Sequence, residues 1–177
     1  MLIKRGEGRR VDMPKKNANL GMDFENMVNK KIEEYKVSKK AFGFKIPTEW
    51  VVQRRGKNIV SAFPKAKGHL DYIMVLPNGL AVIVEAKSSK DTSFPLKNIK
   101  DHQFDYAIEV SYFTKHCYYL IYMKKYNEVF LANASDIEYF RQTQERKSIP
   151  YSWFEQYCKK IEIKELNFLE EIMKNIV

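Results

Sequence analysis

Two apolar runs on either side of a turn constrain this chain more than any other feature. Asp71-Tyr72-Ile73-Met74-Val75-Leu76 and Leu80-Ala81-Val82-Ile83-Val84-Glu85-Ala86-Lys87 flank Pro77-Asn78-Gly79. Strand-forming residues around such a turn predict an antiparallel hairpin, with glycine where the turn needs a positive φ. The runs are nearly continuous rather than alternating. They therefore predict strands buried on both faces, with helices covering the sheet. Pairing Leu76 with Leu80 sets Asp71 opposite Glu85; a loop one residue shorter or longer moves the register by one and still leaves the two acids as neighbours.

Directly opposed residues in such a pair have Cβ atoms about 4.5–5.5 Å apart. Two carboxylates that close in an apolar sheet repel each other unless a proton or a cation lies between them. Hard oxygen ligands at a partly open site suit Mg²⁺ or Mn²⁺, which keep several waters and accept phosphate oxygens. Lys87 follows Glu85 by two residues, so the strand period places both side chains on one face. An ammonium group there is positioned to hold a water and to offset negative charge building on a phosphate. The alternative is a surface salt bridge at a strand end. Location favours the metal site, because the motif closes an apolar run where a solvated face would alternate.

The rest of the chain fills out an α/β sandwich. Residues 1–16 form a basic arm, and residues 17–177 make up one domain. A helix is predicted from Asn19 to about Val37, with Phe24, Met27, Val28, Ile32 and Tyr35 along its apolar stripe. Glu25 lies beside that stripe and reads either as part of a metal's water shell or as an exposed residue. Ala41 to Ile46 is a short strand. Residues 51–68 carry Arg54, Arg55, Lys57, Lys65 and Lys67 with no acidic residue, which predicts a protruding basic element. A helix from Lys97 to about Val110 and a hairpin of Cys117–Met123 with Glu128–Ala132 follow. The capping pattern from Ser135 to Glu138 starts another helix. Further helices are expected at Ser152–Glu155 and from Glu165 to Ile176.

Of the 177 residues, 31 are Lys or Arg and 22 Asp or Glu, a formal charge of +9 that points to an acidic partner, with nucleic acid leading. The two cysteines, Cys117 and Cys158, lie far apart, which excludes a zinc ribbon or a four-cysteine cluster and fits a reducing cytoplasm. His69, His102 and His116 show no ligand spacing. The tyrosines at 112, 118, 119, 122 and 126 read as strand packing. The chain has no glycine-rich phosphate loop, which argues against an NTPase. Nor has it an apolar run of the roughly 20 residues that cross a bilayer.

Several segments together resemble the RecU family of Holliday junction resolvases. They are Gly21-Met22-Asp23-Phe24-Glu25, Lys45-Ile46-Pro47-Thr48, Asp71-Tyr72, Glu85-Ala86-Lys87, Thr92-Ser93-Phe94-Pro95-Leu96-Lys97-Asn98, Asp101-His102-Gln103 and Arg146-Lys147-Ser148-Ile149. The resemblance implies a restriction-endonuclease-like mixed β-sheet core flanked by helices, with a protruding basic stalk at about 51–68. It implies a homodimer that binds four-way DNA junctions and resolves them by paired symmetric nicks in recombination and repair. Asp71, Glu85 and the Ala86 carbonyl would ligate Mg²⁺, with Mn²⁺ able to substitute. Lys87 would position the attacking water, Glu25 would act through the metal's water shell, and Gln103 would orient water or the scissile phosphate. The stalk would enter the junction centre, and Thr92 and Ser93 would lie near the DNA backbone. Leu20 stands where the family usually has Arg, the stalk is shorter, and Lys67-Gly68-His69-Leu70 replaces a Ser/Thr-rich run. These departures bear on junction selectivity more than on chemistry.

A cytoplasmic, nucleoid-associated protein of bacterial, phage or mobile-element origin is the matching expectation, with a recombinase or branch-migration factor as a further partner. Two rival readings are a structure-tolerant DNA nickase or restriction-like endonuclease, and a junction-binding recombination modulator with secondary nuclease activity.

Overall fold

The computed structural model describes residues 15–47, 50–64, 70–174 and 176. The chain runs through helix α1 (Lys15–Val37), strand β1 (Phe42–Lys45), a ribbon of β2 (Trp50–Arg55) and β3 (Asn58–Pro64), then β4 (Tyr72–Val75), β5 (Ala81–Ser89) and β6 (Ser93–Pro95). Next come α2 (Asp101–Ser111), β7 (Cys117–Met123), β8 (Glu128–Asn133) and α3 (Ala134–Thr143). The last elements are β9 (Ser148–Pro150), α4 (Tyr151–Tyr157), β10 (Lys159–Ile161) and α5 (Phe168–Met173).

Six strands form the central sheet in the order β1-β4-β5-β7-β8-β10. β5 and β7 pair in parallel and the other neighbours are antiparallel, so the sheet is mixed. Strand periodicity sends alternate residues of β5 to opposite faces. Val82, Val84 and Ala86 pack in one core with Phe24, Val28 and Ile32 of α1 and Phe168, Leu169 and Ile172 of α5. Ile83 joins a second core with Phe104 and Ala107 of α2, Ile137 and Phe140 of α3 and Phe154 of α4. Both faces of β5 are thus covered, as its unbroken apolar run requires.

The hairpin register is the expected one, with Tyr72 opposite Val84 and Val75 opposite Ala81. Gly79 has φ +83°, the left-handed conformation that only glycine adopts at little cost. The ribbon also matches expectation. β2 and β3 pair only with each other, and almost every described residue in them is exposed.

Several expected boundaries are corrected. α1 begins at Lys15, four residues early, and Met27 on its stripe is 37% exposed while Phe24, Val28, Ile32 and Tyr35 are buried. Lys97 does not start a helix: Leu96–Asn98 is a single 3₁₀ turn, and Ile99 and Lys100 are extended before α2 opens at Asp101. The extended stretch carries Ile99 into the core, and an acid in the first turn suits the helix dipole. The cap of α3 is Asn133, whose side chain accepts from the Ser135 N–H at 3.0 Å; Ser135 is already inside the helix. Glu138 there pairs with Arg141 and not with a capping N–H. The terminal helix shortens to Phe168–Met173, because Leu166 adopts φ +51° and turns into the core. The pairing of β6 with β9 and the edge strand β10 have no counterpart among the expected elements. Residues 1–14 of the basic arm lie outside the described residues.

Gly43 is where β1 meets both its neighbour strand and α1. A Cβ there would stand 2.6 Å from Met74 Cγ and 3.0 Å from Ile32 Cγ2. Gly43→Ala is therefore expected to destabilise the fold by about 1–3 kcal/mol, as overpacking does, seen as a lower urea midpoint at unchanged m.

Candidate functional site

Asp71 immediately precedes β4 and Glu85 lies in β5, so the hairpin register brings the two carboxylates together. They are tied to each other's backbone. The Asp71 N–H donates to Glu85 Oε2 at 2.8 Å, and the Ala86 N–H donates to Asp71 Oδ2 at 3.1 Å. Glu85 is fully buried. Its Oε1 accepts from Gln103 Nε2 at 2.5 Å and faces Lys87 Nζ at 2.5 Å. Gln103 sits in the first turn of α2, where its Oε1 also accepts the Lys100 N–H at 3.1 Å, so one side chain links the helix start to the carboxylate.

The surroundings oppose ionisation. Burial pushes the Glu85 carboxyl up to about 7; Lys87 pulls the other way, and the Asp71 charge adds to the rise. Burial raises Asp71 as well, against the pull of Lys87 and the Ala86 N–H. Tyr119 is Glu85's neighbour in the parallel pair, and its buried hydroxyl has no hydrogen-bond partner among the described residues.

Glu25 of α1 approaches from the other side. Its carboxylate pairs with Lys45 at the end of β1, and its carbonyl accepts from the Tyr72 hydroxyl at 3.3 Å. Lys45 is not among the expected site residues; its only signal is its place in the Lys45-Ile46-Pro47-Thr48 block. Past the carboxylates, at the C-terminal end of β5, opens a cleft of about 530 Å³. Glu25, Ala86 and Lys87 line it together with Ser88 and Ser89, and so do Lys90, Lys97 and Lys100. Four lysines there face the carboxylates of Glu25 and Asp91, an excess of positive charge that suits an anionic substrate.

The structure thus gathers Asp71, Glu85, Ala86, Lys87 and Gln103 at one point, with Glu25 on the cleft wall. Thr92 and Ser93 follow Asp91 of that wall: Thr92 is exposed, with its carbonyl accepting from the Tyr126 hydroxyl at 3.2 Å, and Ser93 opens β6. Arg54, Arg55 and Lys57 lie apart, at the tip of the β2–β3 ribbon, where Gly56 makes the turn with φ +64°. Lys65 and Lys67 lie outside the described residues.

Among the described residues no group of three or more His, Cys, Asp and Glu side chains is placed to hold a metal ion. The donor set is instead two converging carboxylates. Burial is what chiefly raises their affinity for protons, and a divalent cation bound between them would offset the same cost of holding two acids in a water-poor site, so the chemistry fits a hard ion that keeps water and phosphate in its shell.

The model of the Recombination protein U (RecU) family matches residues 19–174. Curated relatives named Holliday junction resolvase RecU include one from Streptococcus pneumoniae (strain Hungary19A-6), 30% identical over 155 residues, covering 83% of this chain and 78% of the relative. Another, from Ureaplasma parvum serovar 3, is 28% identical over 147 residues, covering 83% of this chain and 86% of the relative. Among solved structures, the Archaeoglobus fulgidus Holliday junction resolvase Hjc aligns with a TM-score of 0.48 and 11% identity over 82% of this chain and 99% of that one.

Without divalent ions, the retained proton on Glu85 makes stability depend on pH. Its folded value of about 7 exceeds the ordinary 4.5, so the folded state binds more protons between those limits. Stability is then full below about 4.5, falls as pH rises toward 7 by at most about 1.4 kcal/mol per unit for one proton, and levels off above. Urea denaturation in chelator across this range is expected to show the fall, and Glu85→Gln to reduce it, leaving the part that comes from the raised Asp71 carboxyl.

Proposed function

The chain belongs to the RecU family, a premise from which we infer that it is an endonuclease resolving four-way DNA junctions. The observation that carries this reading is the pairing of half-buried Asp71 with fully buried Glu85, with Lys87 beside them, under a basic cleft and inside the segment that matches the family.

We propose Mg²⁺ as the resident ion, with Mn²⁺ able to replace it, held by Asp71, Glu85 and the Ala86 carbonyl. Such an ion, when bound, polarises the phosphoryl oxygens and lowers the pKa of a water. The protein residues do the rest. Gln103 fixes the Glu85 carboxylate, and the backbone N–H groups of Asp71 and Ala86 keep both acids turned toward each other. The Lys87 ammonium lies where negative charge develops on the scissile phosphate and holds a water for in-line attack. An ammonium fixed beforehand in a site partly shielded from solvent contributes more to this than one in bulk water. Glu25, anchored by Lys45, presents a carboxylate on the cleft wall that orders water on the side away from the sheet.

Two symmetric nicks need two such sites, and a homodimer provides them. The β2–β3 ribbon would enter the junction centre: it is exposed, carries Arg54, Arg55 and Lys57, and shows the outward apolar residues Trp50, Val52, Ile59, Val60 and Phe63. Thr92 and Ser93 would run beside the DNA backbone, and Lys65 and Lys67 would extend the basic stalk. A recombinase or branch-migration factor is the partner that would hand over or move the junction. No helix of the described residues is long and apolar enough to cross a membrane. A cytoplasmic, nucleoid-associated enzyme is the reading in keeping with a DNA substrate.

One assay tests the function, comparing cleavage of a mobile four-way junction with that of linear duplex in Mg²⁺. Asp71→Asn is expected to slow cutting by about a hundred- to a thousandfold, the scale of losing one charge-stabilising group, with junction binding retained. Cleavage at a comparable rate would refute the assignment. Replacing Arg54, Arg55 and Lys57 by Ala is expected to abolish the preference for junctions. Unchanged preference would favour a structure-tolerant nickase.

A further inference from the structure

We infer that a DNA arm leaves the cleft along a second basic groove, in which Lys97, Arg146 and Lys147 hold its phosphodiester backbone. This rests on the junction-cutting reading and adds a binding surface separate from the stalk. The groove has a volume of about 520 Å³ and is lined by Pro95, Leu96, Lys97, Arg141, Arg146 and Lys147. Lys97 also lines the cleft beside the carboxylates, so the two concavities meet at one side chain. The cleft includes Glu25 and Asp91 on its wall, whereas the groove is lined by no acidic residue.

The juxtaposition is built by the fold. β6 and β9 pair antiparallel, with Pro95 opposite Ser148, and the Leu96 N–H donates to the Lys147 carbonyl at 3.0 Å. This ladder is anchored by Phe94 and Ile149, both fully buried. Lys97 is thereby held next to Arg146 and Lys147, although they are far apart in sequence. Like charges brought together on a rigid support repel unless an anion lies between them. Arg141 is already engaged: its guanidinium makes two hydrogen bonds of 2.7 Å to Glu138 and stands 4.5 Å from the Phe104 ring, so it forms a fixed part of the wall. Lys97, Arg146 and Lys147 are exposed and line the groove, whose floor is largely apolar. DNA is favoured over an acidic peptide by continuity, because the scissile phosphate must sit in the adjoining cleft and the strand has to run on from there. Pro95 and Leu96 offer apolar surface for the sugars between phosphates.

The test is equilibrium binding of the full-length protein to a four-way junction in chelator, over a series of salt concentrations. The variant Lys97→Ala/Arg146→Ala/Lys147→Ala is expected to reduce the slope of log K against log salt by about 0.9 for each phosphate it no longer neutralises, so by about two to three. In that variant, ethylation of the arm phosphates beyond the cut position is expected to stop interfering with binding, while ethylation beside the cut still interferes. The charge-matched variant Lys36→Ala/Lys115→Ala/Lys164→Ala, on other surfaces, should keep both the slope and the pattern. A wild-type slope and pattern in the first variant, or an equal reduction in the second, would overturn the groove; an acidic protein as the real occupant would give the former. Wild-type cleavage of the same junction in Mg²⁺ separates the two levels. If it is absent the resolvase reading fails, and if it is present with an unaltered first variant only the groove does.

Discussion

Two carboxylates in this molecule each accept a backbone N–H from the strand that carries the other, Asp71 from Ala86 and Glu85 from Asp71 itself. Burying an acid is costly unless its oxygens are satisfied, and here Gln103 and Lys87 take the remaining positions on Glu85. The arrangement tolerates no slip. Shifting β4 against β5 by one residue would carry Asp71 away from the position in which it exchanges N–H bonds with Glu85 and Ala86 and would part the two carboxylates. The register of one hairpin therefore decides whether the chain has a site at all.

The other elements serve that point. The parallel pairing of β5 with β7 buries β5 in mid-sheet, which makes the local environment poor in water and raises the proton affinity of both acids. α2 begins where Gln103 reaches Glu85. On the opposite side, β1 packs on α1 and brings Lys45 to Glu25. The β6–β9 ladder then sets cations along the path away from the cleft. Fold and site share the same packing, so a change at Gly43 would be felt at the cleft wall through Lys45.

What can be read beforehand follows from where the information is local. The β4–β5 register is legible because a short turn with an obligatory positive φ at Gly79 leaves little freedom, and the apolar runs fix which faces are buried. Asp71, Glu85 and Lys87 come with it, since the hairpin register relates the first two and the strand period the last two. The exposed ribbon is legible from charge without acidic balance. The bond from Gln103 to Glu85 is not, because it depends on where α2 starts, and Ile99 delays that start by following the core instead of helix propensity. Asn133 displaces Ser135 as a cap because a strand end sets the helix origin. Three-residue strands such as β6 and β9 carry too few residues to show any period, so the groove they build has no local signal beyond the resemblance of both segments to one family.

The central claim is that the Asp71–Glu85 pair is a cation site. Anomalous scattering from crystals soaked in Mn²⁺ tests it most directly. The account predicts one strong peak within coordination distance of oxygens from both side chains, absent in crystals of the Glu85→Gln protein. Peaks only at other surface acids, with these two carboxylates still bonded solely to protein N–H groups, would contradict it.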